Sequence, residues 1–161
     1  MISFLSENGF QCQQEISRNV ILEAQKEGID QLFLTDPILF SKKLLEGRLK
    51  QFNDIHHFKN APIFYDRGLP DIIAYMNFTK ENYPDNFEKV CQNNRYDMVF
   101  LLPPWKEIYK QDNERYESFE EAEKIYHCLL EGYKKYRYEV IEIPFGTLAS
   151  RMEFIKTSLA L

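Results

Sequence analysis

The chain has 161 residues, 44% of them hydrophobic and 28% charged, with a net charge of −5. That is enough for one ordinary domain with its own core, and the acidic balance argues against nucleic acid as the main partner. No apolar run approaches the roughly 20 residues of a membrane-crossing helix, and the first residues lack the basic start and apolar stretch of a leader peptide. The cysteines, Cys12, Cys91 and Cys128, are isolated and odd in number. They read as free thiols of a reducing, cytoplasmic compartment, and neither they nor His56, His57 and His127 fall at metal-ligand spacing.

No repeat, low-complexity tract or linker divides the sequence, so a single domain over 1–161 is expected. Residues 1–8 read as the tail of a helix, with Ile2 and Leu5 on one face and Asn8 and Gly9 as its stop. "FQCQQ" (10–14) is a short strand, and 15–27 place Ile16, Val20, Ile21 and Ala24 at helical spacing. A longer helix over 35–58 can be capped by Asp36, with Pro37 in its first turn and Ile38, Leu39, Leu45, Leu49 and Phe52 as its apolar face. A strand at 61–65 follows, then a helix from Pro70, a short helix "FEKVCQNN" and an apolar strand "YDMVFLLPP". The segment 118–136 opens with Ser118 and Glu121, an S-x-x-E capping box. A strand over 138–144 and a helix "TLASRMEFI" complete the chain.

Near-continuous apolar strands alternating with helices predict an α/β fold, a mostly parallel sheet flanked by helices on both faces. Ligands of such folds bind beyond the carboxyl ends of the strands. In "PIFYDRGLPD" (62–71), Asp66 and Arg67 stand at that position. An aspartate closing an apolar strand is the Walker B arrangement, which serves magnesium beside a nucleotide triphosphate, and a neighbouring guanidinium can fork two phosphate oxygens. The pattern is short, and an ordinary Asp-Arg turn satisfies it equally. Lys110 and Arg115 lie in a polar segment, about 107–122, placed as a phosphate-covering lid is placed; a solvated helix with local charge pairs is the plainer account. Phe145, Gly146 and Thr147 follow the last strand, either as a base-binding loop or as a plain connection. Glu15 and Arg18 stand at the spacing of an exposed helical ion pair.

"FYDRGLPDIIAY", the run from "YDMVFLLPPWKEIYKQDNERYESFEEAEKIYHCLLEGYKKYRYEVIEIP" and "ASRMEFI" together resemble the AAA-type ATP-binding domain family, kinase-like P-loop NTPases related to nicotinamide-riboside kinase. The likeness extends over essentially the whole chain, and "QQEISRNVI" resembles the family's E-x-x-R-x-x-I segment. It implies a nucleotide-kinase-like architecture that binds ATP or another NTP with Mg2+ and either hydrolyses it or passes a phosphoryl group to a small acceptor. By the same resemblance Asp66 is the Walker B-type acid that holds magnesium through water, and Arg67 a phosphate or acceptor ligand. Glu15 and Arg18 are acceptor-site residues, and Arg115 and Lys110 lid cations.

One departure stands out. The family opens with a strand and G-x-x-x-x-G-K-[ST], and none of the 6 glycines here is followed by lysine. Met1 is expected to fall inside the helix after that loop, with the central first strand missing between the strands that end at Asp66 and Pro103. Two alternatives therefore stand beside an enzyme, a non-catalytic scaffold and an NTP-gated regulatory binding protein. A chain lacking that strand is expected to hold ATP weakly, and to collapse the gap, self-associate across it or be poorly stable.

Overall fold

The computed structural model describes residues 1–54, 61–109 and 117–161. These divide into two compact units, Ile2–Arg95 and Tyr96–Leu161, the second together with Met1.

The first unit begins with helix α1 (Ile2–Glu7). Its C-terminal glycine, Gly9, has φ +88°, and the Phe10 amide donates back to the Leu5 carbonyl at 3.1 Å. That left-handed cap turns the chain into strand β1 (Gln11–Gln13), on which α1 packs. Helix α2 (Ser17–Lys26) follows, then a short helix α3 (Leu32–Thr35) that the sequence pattern does not anticipate, then α4 (Pro37–Asn53). Asp36 caps α4 as expected, its carboxylate accepting from the Leu39 amide at 2.9 Å. Strand β2 (Ile63–Tyr65) pairs with β1 in parallel, with Gln11 opposite Ile63 and Gln13 opposite Tyr65. Helix α5 (Leu69–Thr79) is buried at every position from Leu69 to Ala74 and again at Met76. An apolar surface that continuous needs cover on more than one side, and α4 and α6 (Asp85–Asn93) supply it. Enclosing a side chain such as Ile73 contributes about 2 kcal/mol.

The face that α4 buries differs from the expected one. Ser41, Leu44, Leu45 and Arg48 point inward, while Leu49 and Phe52 are only half-buried. The stripe has helical spacing, but a hydroxyl and a guanidinium occupy two of its four positions. A reading that scores only apolar residues rotates the helix away from it.

The second unit carries strand β3 (Val99–Leu101), a 3-10 turn at Lys106–Ile108, helix α7 (Phe119–Lys135), strand β4 (Val140–Glu142) and helix α8 (Leu148–Ser158). Strand β3 pairs with β4 in parallel, Val99 opposite Val140. The Ser118 and Glu121 capping box forms at the start of α7, with bonds of 3.2 and 2.8 Å between each side chain and the other's backbone amide. The Tyr138 hydroxyl accepts from the Tyr96 amide at 3.0 Å, and Tyr133, Tyr138, Ile143 and Ile155 belong to the core.

The described strands are therefore all parallel, as expected, but they form two pairs, β1 with β2 and β3 with β4. Among the described residues β2 and β3 share no ladder. Lys110 and Arg115 lie outside the described residues. Among the described residues no helix is long and apolar enough to cross a membrane.

Candidate functional site

The parallel register of β1 and β2 carries one step further, through a bond of 2.8 Å from the Asp66 amide to the Gln13 carbonyl. Their carboxyl ends thus finish side by side and deliver Glu15 from one strand and Asp66 and Arg67 from the other. Glu15 Oε2 meets Arg67 Nε at 2.6 Å. Its Oε1 accepts from the Ile16 and Ser17 amides at 2.8 and 3.0 Å, so the same carboxylate caps the first turn of α2. The positive end of that helix favours an anion there. Arg48 reaches in from α4: Nη2 lies 3.1 Å from each Glu15 oxygen, and Nη1 donates to the Gly68 carbonyl at 3.0 Å. Asp71 completes the group by accepting from the Gly68 amide at 2.9 Å, which fixes the start of α5.

The charges sort themselves by environment. Burial alone pushes the Glu15 carboxyl up, but the Arg48 and Arg67 charges and the bonds it accepts outweigh that and hold it below its ordinary value. Glu15 is ionised at neutral pH. Asp66 goes the other way: burial, joined by the negative charges of Glu15 and Asp71, outweighs Arg67 and raises its carboxyl. Cys12, one strand over, is raised by burial and then by Asp66. Arg67 itself adopts φ +73°, a left-handed conformation that costs a non-glycine residue about 1–2 kcal/mol. Its side chain is 53% exposed.

The carboxylates of the cluster differ in how far they are free to take a divalent cation. Glu15 is committed to two arginines and Asp71 to a backbone amide, whereas the Asp66 carboxylate accepts no hydrogen bond among the described residues. No cluster of three or more potential ligands occurs among those residues. One hard oxygen donor, its charge disfavoured until a cation arrives, fits magnesium, which keeps several waters and takes its remaining ligands from phosphates. It does not fit an all-protein cage.

The structure brings Glu15, Asp66 and Arg67 together and leaves Arg18 exposed on α2. Arg48 and Asp71 are partners that reading the sequence missed. An arginine on the buried stripe of α4 and an acid three residues after Gly68 were the available signals. Beside this cluster, between α2 and α4, an open cleft of about 560 Å³ is lined by Gln13, Ile16, Glu23, Lys43, Gly47 and Lys50 among others.

In the second unit, Phe145 is 53% exposed and stacks on Trp105 with ring centroids 5.0 Å apart and planes inclined by 20°. Gly146 has φ +152°, and a Cβ there would press on the Ser150 hydroxyl at 2.7 Å. Thr147 caps α8, its hydroxyl oxygen accepting from the Ser150 amide at 3.1 Å. The three residues thus form a turn with one flat apolar surface, the Phe145 ring, and a hydroxyl already committed to the helix.

A search of curated proteins finds no sequence relative. Among solved structures, deoxyadenosine kinase from M. mycoides, determined with the products dCMP and a flexible dCDP bound, is similar with a TM-score of 0.63 and 14% identity, covering 98% of this chain and 90% of that one. The parallel α/β arrangement is accordingly that of the nucleotide-kinase-like fold. The family model described as AAA domain matches residues 1–151. The chain belongs to the AAA domain family.

Proposed function

We propose that this protein binds a nucleoside triphosphate with magnesium and hydrolyses it or transfers its terminal phosphoryl group to a small acceptor. The observation that carries the reading is the contact between Glu15 and Arg67 at the ends of two paired parallel strands, with Arg67 held in a strained backbone conformation. Strain of that kind persists where a side chain is needed in one place. In this reading the ionised Glu15 accepts a hydrogen bond from the acceptor hydroxyl and orients it. Arg67, half in solvent, turns toward a phosphate oxygen or the acceptor. Magnesium, when bound, neutralises phosphate charge, and Asp66 holds it through water. Lys110 and Arg115 supply lid cations, Arg18 lines the acceptor side, and Phe145, Gly146 and Thr147 offer a surface to the base. Phosphoryl transfer asks little covalent chemistry of a protein, so positioned charge is the main contribution.

The test is phosphate release from Mg·ATP by the full-length protein, with Asp66→Asn and Arg67→Ala beside the wild type. Asp66→Asn is expected to lower turnover by at least about 100-fold while folding is retained. Turnover at the wild-type rate would remove Asp66 from the mechanism and the reading with it.

A second reading rests on the absence of any glycine followed by lysine in the 161 residues. Without backbone donors and a lysine for the phosphates, a non-catalytic scaffold or an NTP-gated regulatory protein keeps the same fold. Titration of residues 1–161 with Mg·ATP separates the two. Tight, stoichiometric binding excludes the scaffold, and weak binding leaves catalysis dependent on donors supplied from elsewhere.

A further inference from the structure

Arg48 is the least exposed charged residue described, at 4%. A guanidinium so enclosed is retained only against a desolvation cost, and an apolar side chain of similar length fits a helix stripe without one. What Arg48 touches explains its presence. Its two terminal nitrogens are divided between the Glu15 carboxylate and the Gly68 carbonyl, the residue directly after Arg67. Being buried, it has no access to a ligand of its own.

Glu15 consequently has two cationic partners of different kinds, one enclosed and one half-exposed. The exposed Arg67 can be drawn away by an incoming anion. The enclosed Arg48 stays, so that the carboxylate left behind is still compensated. We infer that Arg48 is a positioning residue that holds Glu15 and the Gly68 backbone fixed, which frees Arg67 to leave Glu15 for a phosphate or acceptor. The planar fork matters, because a lysine presents a point charge and cannot serve a carboxylate and a carbonyl in fixed directions at once. The consequence for turnover rests on the phosphoryl-transfer reading; the positioning does not.

The experiment uses the full-length protein with Arg48→Met and Arg48→Lys, and reads phosphate release from Mg·ATP together with melting curves. For folded Arg48→Met, kcat is expected to fall about 100-fold while KM for Mg·ATP changes by less than about threefold, the pattern of misplaced groups rather than lost binding. Arg48→Lys is expected to recover part of that loss. A purely structural role lowers the melting temperature and the active fraction without this split. Wild-type kcat in folded Arg48→Met overturns the inference. Where Arg48→Met fails to fold, Arg48→Lys decides, with a fall in kcat expected and an unchanged kcat overturning it. Where the wild type itself releases no phosphate, the proposed function fails and the NMR signals of Arg67 Nε–H and the Gly68 amide decide instead. Arg48→Lys must shift both while the Ile155 amide stays in place, and unmoved signals overturn the inference.

Discussion

The ends of β1 and β2 and the start of α8 both place charge under cover, and they handle it in opposite ways. At the strand ends Arg48, Arg67 and Glu15 pair with one another, and Asp71 and Glu15 satisfy backbone amides as well. On α8, Arg151 is only 8% exposed, and its Nε is buried with no hydrogen-bond partner among the described residues. Each region keeps one guanidinium Nε buried without a hydrogen-bond partner, that of Arg48 in the first and of Arg151 in the second, but among the described residues only the first counters its enclosed charge with a carboxylate. Removing one member therefore damages the first region and relieves the second, and substitutions at each can break that contrast.

The largest effect is expected from Glu15→Gln. It leaves Arg48 enclosed without its counter-charge, which should destabilise the fold by about 2–3 kcal/mol, somewhat below a fully buried pair because Glu15 is partly exposed. Because the folded carboxyl lies below its unfolded value, Glu15 contributes stability above about pH 4.3 that is lost as pH falls through the folded value. The deficit of the variant should thus shrink in acid, as measured by urea unfolding at pH 7 and pH 3. A constant deficit would place the effect in packing rather than charge.

Asp66→Asn should act with the opposite sign. A carboxyl raised in the folded state adds stability below its unfolded value and loses it as pH rises through the folded one. The amide escapes that loss, so the melting temperature at pH 7 should rise by about 2 °C, with the gain vanishing in acid. A lower melting temperature at neutral pH would show that Asp66 already has a stabilising partner.

For Arg151→Met, a gain of about 1 kcal/mol is expected, since an apolar chain of similar length replaces an enclosed charge. A loss of stability instead would mean that the arginine is satisfied and that the contrast between the regions is false. The smallest effect belongs to Gly47→Ala. The added methyl meets only the end of the Ile16 side chain, which can rotate aside, and alanine favours a helix interior by up to about 1 kcal/mol. The net change should stay within about 0.5 kcal/mol. A larger loss would show that Ile16, next to Glu15, is pinned by the paired cluster.

What could be read in the sequence was local. Asp36 and Pro37, the Ser118 and Glu121 box, and Asn8 with Gly9 announce helix ends because a cap is formed by residues a few positions apart. Asp66 and Arg67 are conspicuous because charge at the end of an apolar strand is conspicuous. The strand ladders themselves are only three residues long, so their extent was overestimated from apolar runs. The partners of Glu15 were hidden for a further reason. Spacing alone suggested Arg18 three residues on, whereas Arg48 is 33 residues away and is brought in by the packing of α4. No periodicity links a carboxylate after one strand to a guanidinium on a later helix.

Cys12 turns this arrangement into a built-in gauge. Its thiol lies 3.7 Å from the Ile2 carbonyl and is held in its protonated form by burial and by the negative charge of Asp66. Any event that cancels that charge makes the thiolate easier to form, and thiolate content sets the speed of alkylation. The labelling kinetics of one native sulfur would thus report whether a cation binds beside Asp66, with no probe attached to the site and no turnover required.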